Sequence, residues 1–115
     1  MKNTRTHNKT MKKKLLKCKG IFIANNEIQY AYGSVLDERE DILEIKCNVP
    51  FENCEYDYYT TDFYCIKSNG EIMIRECIYQ DKLSKPSICK LLDFSRNYWE
   101  SKGVKDWGIV LDAKK

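Results

Sequence analysis

The stretch YTTDFYCIKSNGEIMIRECIYQ, Tyr59 to Gln80, decides how this chain folds. Tyr, Thr, Phe and Ile residues flank the segment KSNGE (Lys67 to Glu71), so the stretch reads as a tight β-hairpin. Each strand carries one carboxylate, Asp62 and Glu76, among apolar neighbours. Their relation depends on the turn. A two-residue Asn69-Gly70 loop would pair Asp62 with Cys77 and send Glu76 to the opposite face. A three-residue Ser68-Asn69-Gly70 loop, with Gly70 left-handed, would set Asp62 across from Glu76, and this is the expected register. Tyr64, Ile66, Ile72, Ile74 and Ile78 would then share their face. Like charges placed opposite each other destabilise a sheet unless a cation or proton lies between them. Asp62 and Glu76 are therefore candidate ligands for a divalent metal such as Mg2+, with no organic cofactor implied. The competing reading pairs one acid with a lysine or arginine and leaves the other in solvent at a sheet edge.

Outward from the hairpin, Lys85-Pro86 opens a helix, since proline suits the first helical position. Ile88, Leu91, Leu92, Ser95, Tyr98 and Trp99 recur at helical spacing and form its buried face, and Gly103 closes it. DWGIVLD (Asp106 to Asp112) reads as a final strand. Upstream, GIFIANNEIQYAYG (Gly20 to Gly33) alternates around Asn25-Asn26 and reads as a hairpin of two short strands. Ser34 with Asp37 three residues on fits a capping box, predicting a short helix over SVLDEREDILEI. The sum is an α/β domain with a central, mostly antiparallel sheet flanked by helices, over residues 20–115. Residues 1–19 are expected to be a disordered basic arm.

At 115 residues the chain has length for one core. Its 43% hydrophobic content excludes a disordered body, and no apolar run reaches the ~18–20 residues of a membrane span. The six cysteines, at 18, 47, 54, 65, 77 and 89, lack any Cys-x-x-Cys spacing, and the single histidine is His7. A zinc site is thus poorly supported, and the thiols are expected to be reduced apolar side chains in a cytoplasmic protein. The net charge of +3 conceals a division: residues 1–19 hold eight bases and no acid, leaving 12 bases against 17 acids. Within that body, residues 20–81 are acidic (4 bases, 13 acids) and residues 82–105 basic (6 bases, 2 acids). Lys12, Lys13 and Lys14 in the arm, with Lys85, Lys90 and Arg96, are the candidate phosphate contacts.

YTTDF…NGEIMIREC resembles the YTPDF…dG…vEvK core of the PD-(D/E)xK nucleases, the restriction-endonuclease-like fold. KLLDFSRNYWESKGVKDWGIVLD is similar to the helix and strand that follow it in TnsA-like transposon endonucleases, and SVLDERED to their acidic first helix. The resemblance spans roughly residues 30–112. It implies metal-binding and catalytic roles for Asp62 and Glu76, with Glu38 (or Asp37) as the first-helix acid. The lysine expected two residues after the second acid is replaced by Ile78, which cannot orient a water or stabilise charge on a transferring phosphate. Gln80, Lys82 or Lys90 would have to substitute. Thr61 stands in place of the motif proline.

The resemblance therefore implies a mobile-element protein that keeps a nuclease-like frame and binds nucleic acid or a nucleoprotein complex without cleaving it. Two other classes fit the same residues. One is an inhibitor of a host defence nuclease, of the anti-CRISPR type, whose acidic surface imitates phosphate. The other is an active Mg-dependent endodeoxyribonuclease using Glu38, Asp62, Glu76 and Gln80 or Lys82.

Overall fold

A computed structural model describes residues 11–52 and 59–112. Six strands and two helices follow in the order β1 (Met11–Lys14), β2 (Ile21–Ala24), α1 (Glu27–Glu38), β3 (Ile42–Pro50), β4 (Thr60–Lys67), β5 (Ile72–Ile78), α2 (Pro86–Ser101) and β6 (Asp106–Leu111). A 3-10 turn, Gln80–Lys82, lies between β5 and α2. β1 and β2 form a small antiparallel sheet; the main sheet has the order β3-β4-β5-β6, antiparallel except that β6 runs parallel to β5. Parallel neighbours need a crossover, and α2 supplies it. The α/β class with a mostly antiparallel sheet and flanking helices is as expected.

The main sheet separates two apolar clusters. Phe63, Cys65, Met73 and Cys77 face Ile28 and Leu36 of α1 and Phe22 of β2. Tyr64, Ile72 and Ile74 face Leu91 and Trp99 of α2. Odd and even residues of β4 and β5 thus go to opposite clusters, as a sheet covered on both sides requires.

The central hairpin takes the three-residue loop. Ile66 pairs with Ile72, and the Lys67 N–H donates to the Glu71 carbonyl at 2.8 Å, enclosing Ser68, Asn69 and Gly70. Gly70 has φ +89°, a conformation that a side chain opposes. α2 begins at Pro86 as predicted, and Ile88, Leu91, Leu92, Ser95 and Trp99 are its buried residues, with Tyr98 half-buried. Val104 and Gly103 N–H groups close its end on Trp99 and Glu100 carbonyls, both at 3.0 Å.

The first third of the chain corrects the sequence reading. Residues 20–33 are not a hairpin, and no helix starts at Ser34. Asn26 is the N-cap of α1, its side-chain oxygen accepting the Gln29 N–H at 2.7 Å. Capping by Asn outcompetes a turn because Ile28, Tyr32 and Leu36 then line one helical face. Asp37 does not cap that helix: its carboxylate accepts the backbone N–H groups of Leu16 (3.0 Å) and Lys17 (2.9 Å), fixing the turn after β1. The arm is correspondingly shorter, since Met11–Lys14 pairs with Ile21–Ala24. Residues 1–10 lie outside the described residues. Residues 42–45, read as the end of a helix, belong with residues 46–50 to strand β3, whose register shift between Ile42 and Glu44 obscures its alternation.

Gly33 explains how the small sheet joins the large one. A Cβ there would lie 2.6 Å from the fully buried Phe22 ring, so glycine allows β2 to press against α1.

Candidate functional site

Face alternation fails at one place. Ile45 and Cys47 of β3 pack with the α1 cluster, yet Val49 packs with the α2 cluster. Between them Asn48 has φ +56°, a left-handed value that Asn tolerates better than most residues. In β4 the same reversal falls at Asp62: Phe63 faces α1, whereas Thr61 meets Trp99 of α2. The β4–β5 ladder stops at the Phe63–Arg75 pair, just short of Asp62 and Glu76.

The carboxylates span the opening that follows. The Asp62 N–H donates to Glu76 Oε1 at 3.0 Å, and the Cys77 N–H donates to Asp62 Oδ2 at 2.8 Å. Each acid thus accepts a backbone proton of the opposite strand, replacing ladder bonds that the divergence removes. Glu76 Oε2 also receives the hydroxyls of Thr61 (3.0 Å) and Ser95 (2.6 Å). Those hydroxyls are oriented in turn. Trp99 Nε1 donates to Thr61 Oγ1 at 2.7 Å and Trp107 Nε1 to Ser95 Oγ at 3.0 Å. An indole can only donate, so each hydroxyl accepts from its tryptophan and keeps its own proton for Glu76.

On the other side the start of α1 closes over Asp62. Gln29 Nε2 donates to the Asp62 carbonyl at 3.2 Å and to Asn48 Oδ1 at 3.1 Å, while Asn26 Nδ2 donates to the Cys77 carbonyl at 3.2 Å. Asp62 is 4% exposed and Glu76 fully buried. Burial, then the charge of Asp62, raises the Glu76 carboxyl well above the usual range despite its three donors. Burial raises Asp62 as well, opposed by the Cys77 backbone bond. Tyr59, 3% exposed, packs nearby, and its hydroxyl is raised by burial and then by Glu76 and Asp62.

Asp62 and Glu76 are therefore brought together, and their oxygens point into the protein. Among the described residues no group of three or more His, Cys, Asp or Glu side chains is placed to hold a metal. A divalent ion would have to strip donors from Glu76 and Asp62 without a third acidic ligand, so this arrangement does not fit one. Glu38 does not join them. It is the exposed last residue of α1, roughly 13 Å along the helix from Gln29, whose end abuts the acids. Gln80 and Lys82 lie in the 3-10 turn beyond β5, where the Gln80 N–H donates to Asp112 Oδ1 at 2.7 Å. Ile78 is half-buried and pairs with Leu111.

The basic residues fall into two groups on opposite sides of the main sheet. Lys12 and Lys14 are exposed on β1, beside α1, while Lys13 lies 3.9 Å from the Tyr30 ring centroid. Lys85, at the N-cap of α2, and Lys90 and Arg96 on that helix are exposed, and Arg96 also pairs with Asp93 at 3.4 Å. The sequence did not foresee Thr61, Ser95, Trp99, Trp107, Gln29 and Asn48 as partners of the acids. One signal was present: Ser95, a hydroxyl in the middle of an otherwise apolar helical face. No protein-family model matches the chain, and a comparison with curated proteins finds no match.

Proposed function

We propose that the protein is a nucleic-acid-binding module on a degenerate nuclease-like frame, in which the two acids hold the sheet together and the basic strand β1 meets the phosphates. The observation that carries the non-cleaving part is the inward commitment of Glu76, with three donors from Thr61, Ser95 and the Asp62 backbone. A nuclease needs carboxylate oxygens that are open to metal and water. Ile78 in place of the lysine that the resemblance implies points the same way.

The binding part rests on charge placement. Lys12 and Lys14 project from the strand that follows the lysine- and arginine-bearing first ten residues, and Lys19 is exposed after it. The α2 group (Lys85, Lys90, Arg96) sits across the sheet, so one duplex would engage one group or the other. β1 is favoured because it continues the run of basic residues.

The test measures binding of DNA and RNA oligonucleotides by fluorescence anisotropy over a salt series, alongside a cleavage assay with magnesium or manganese. The expected result is salt-dependent binding without cleavage. Lys12→Glu with Lys14→Glu should lower the slope of log K against log salt by about 1.8 on duplex DNA if both lysines meet phosphates. An unchanged slope would exclude β1 as the contact. Metal-dependent cleavage abolished by Asp62→Asn would overturn the non-cleaving reading.

A further inference from the structure

The two sheets meet along an open groove of about 480 Å³ between β2 and the edge strand β3, lined by Cys18, Lys19, Ile21, Ile23, Lys46 and Cys47 among others. Its inner end is pinned by backbone: the Ile45 N–H donates to the Lys17 carbonyl at 2.9 Å, and Cys18 Sγ donates to the Ile45 carbonyl at 3.2 Å. Cys18 lies in the turn after β1, and Cys47 on β3, two residues beyond Ile45. Both are half-buried, both rest on the α1 cluster, both line the same groove, and each is the strongest influence on the other's ionisation.

We propose that Cys18 and Cys47 are a dithiol site that hydrogen peroxide closes to a disulfide, fastening the β1–β2 hairpin to the edge of the main sheet.

The two sulfurs are unlike. Cys18 has the largest effect on Cys47 and lowers it; burial opposes this and the Ile23 backbone assists, so the Cys47 thiol is lowered to about 7. Cys18 is raised, first by Cys47 and then by burial, and it keeps its proton on the Ile45 carbonyl. The acids facing them, Asp37 towards Cys18 and Asp62 towards Cys47, both oppose ionisation without reversing this order. Cys47 is the nucleophile because the thiolate is the reactive form. Its sulfur attacks one peroxide oxygen, the O–O bond breaks, and the departing hydroxide takes a proton to leave as water. The resulting sulfenic acid is attacked by the Cys18 sulfur, which loses its proton as the S–S bond forms and a second water leaves. The balance is two thiols and one peroxide giving one disulfide and two waters. The other described cysteines differ: Cys65 and Cys77 are buried, with thiols raised chiefly by burial, and Cys89 is exposed on α2.

The experiment treats the full chain with equimolar hydrogen peroxide, blocks remaining thiols with N-ethylmaleimide, and maps peptides of the monomer without reduction. The expected product is a monomer that has lost two hydrogen atoms and takes up N-ethylmaleimide at the other cysteines, with Cys18 and Cys47 in one linked peptide pair that dithiothreitol separates. Cys18→Ser, which cannot complete the bond, should stop at a Cys47 sulfenic acid trapped by dimedone. Cys47→Ser should leave Cys18 unlabelled under the same treatment. Thermal unfolding adds a readout: the oxidised wild type should melt higher than the reduced form, and neither serine variant should show that shift. A monomer with no Cys18–Cys47 link, or dimedone labelling Cys18 as readily as Cys47, would overturn the assignment.

Discussion

Titrating the protein from pH 5 to pH 7 should destabilise it, and Glu76 is the reason. Its carboxyl is fully buried, and burial together with Asp62 raises it from 4.5 to about 8. Between those values the folded protein holds a proton at Glu76 that the unfolded chain has released. The stabilisation is complete below pH 4.5 and is lost as pH rises through about 8. Each such proton gives a slope on the order of 1 kcal/mol per pH unit, hence roughly a few kcal/mol across the two units. Asp62, buried beside Glu76 and also raised, acts with the same sign and adds to the slope. Burial opposes but does not cancel the ion pairs that lower Asp106, and Arg39 lowers Asp41, so both lose their stabilisation only in more acidic solution. Cys47, lowered to about 7, contributes with the opposite sign above neutrality. Urea unfolding followed by circular dichroism at pH 5, 6 and 7 measures the slope directly. Glu76→Gln should start less stable, because its NH2 must face either the Asp62 N–H or the two hydroxyl protons, but its slope across this window should be smaller. A wild-type stability that holds constant or rises from pH 5 to 7 would refute the reasoning, as would an undiminished slope in Glu76→Gln.

Gly33→Ala should destabilise despite alanine's ~1 kcal/mol helical advantage over glycine, because the new methyl would lie 2.6 Å from Phe22; overpacking of this kind costs ~1–3 kcal/mol, and a more stable variant in urea unfolding would contradict the packing. Leu92→Ala, on the buried face of α2, should cost ~2–5 kcal/mol in the same assay, whereas a loss below ~0.5 kcal/mol would mean that this position is not packed against the sheet.

Where the sequence was readable, one local signal dominated. Gly70 three residues after Lys67 selected the loop, and hence the register that brings β4 and β5 together up to the Phe63–Arg75 pair. Pro86 and the Ile88–Leu92–Trp99 spacing specified α2 without reference to any other element. The misreading of α1 arose from two competing local meanings of Asn25-Asn26. Alternation in Ile21–Ala24 suggested a turn, yet Asn26 followed by Gln29 three residues later also carries the signature of a helix start. β3 was hidden by its irregularity near Ile42, which placed Ile42 and Leu43 side by side as in a helical stripe. The environment of the acids was least legible. Thr61, Ser95, Trp99 and Trp107 reach Glu76, directly or through a hydroxyl, from three different elements, and no short sequence window contains them.

That environment also explains how two acidic side chains can persist inside an otherwise apolar face. β4 reverses its faces at Asp62 and parts from β5, which leaves the N–H groups of Asp62 and Cys77 without ladder partners. Unpaired and buried, each would cost about 1–3 kcal/mol. A carboxyl group can accept several hydrogen bonds, so Glu76 answers one of these groups while accepting two hydroxyls, and Asp62 answers the other. Removing either acid would therefore expose a broken sheet, whether or not a ligand ever visited the site. The role follows from hydrogen-bond accounting alone. It gives Asp62 and Glu76 a reason to be in this sequence that does not require catalysis, and it makes the stability of an acid variant, measured beside its activity, the observation that separates the two roles.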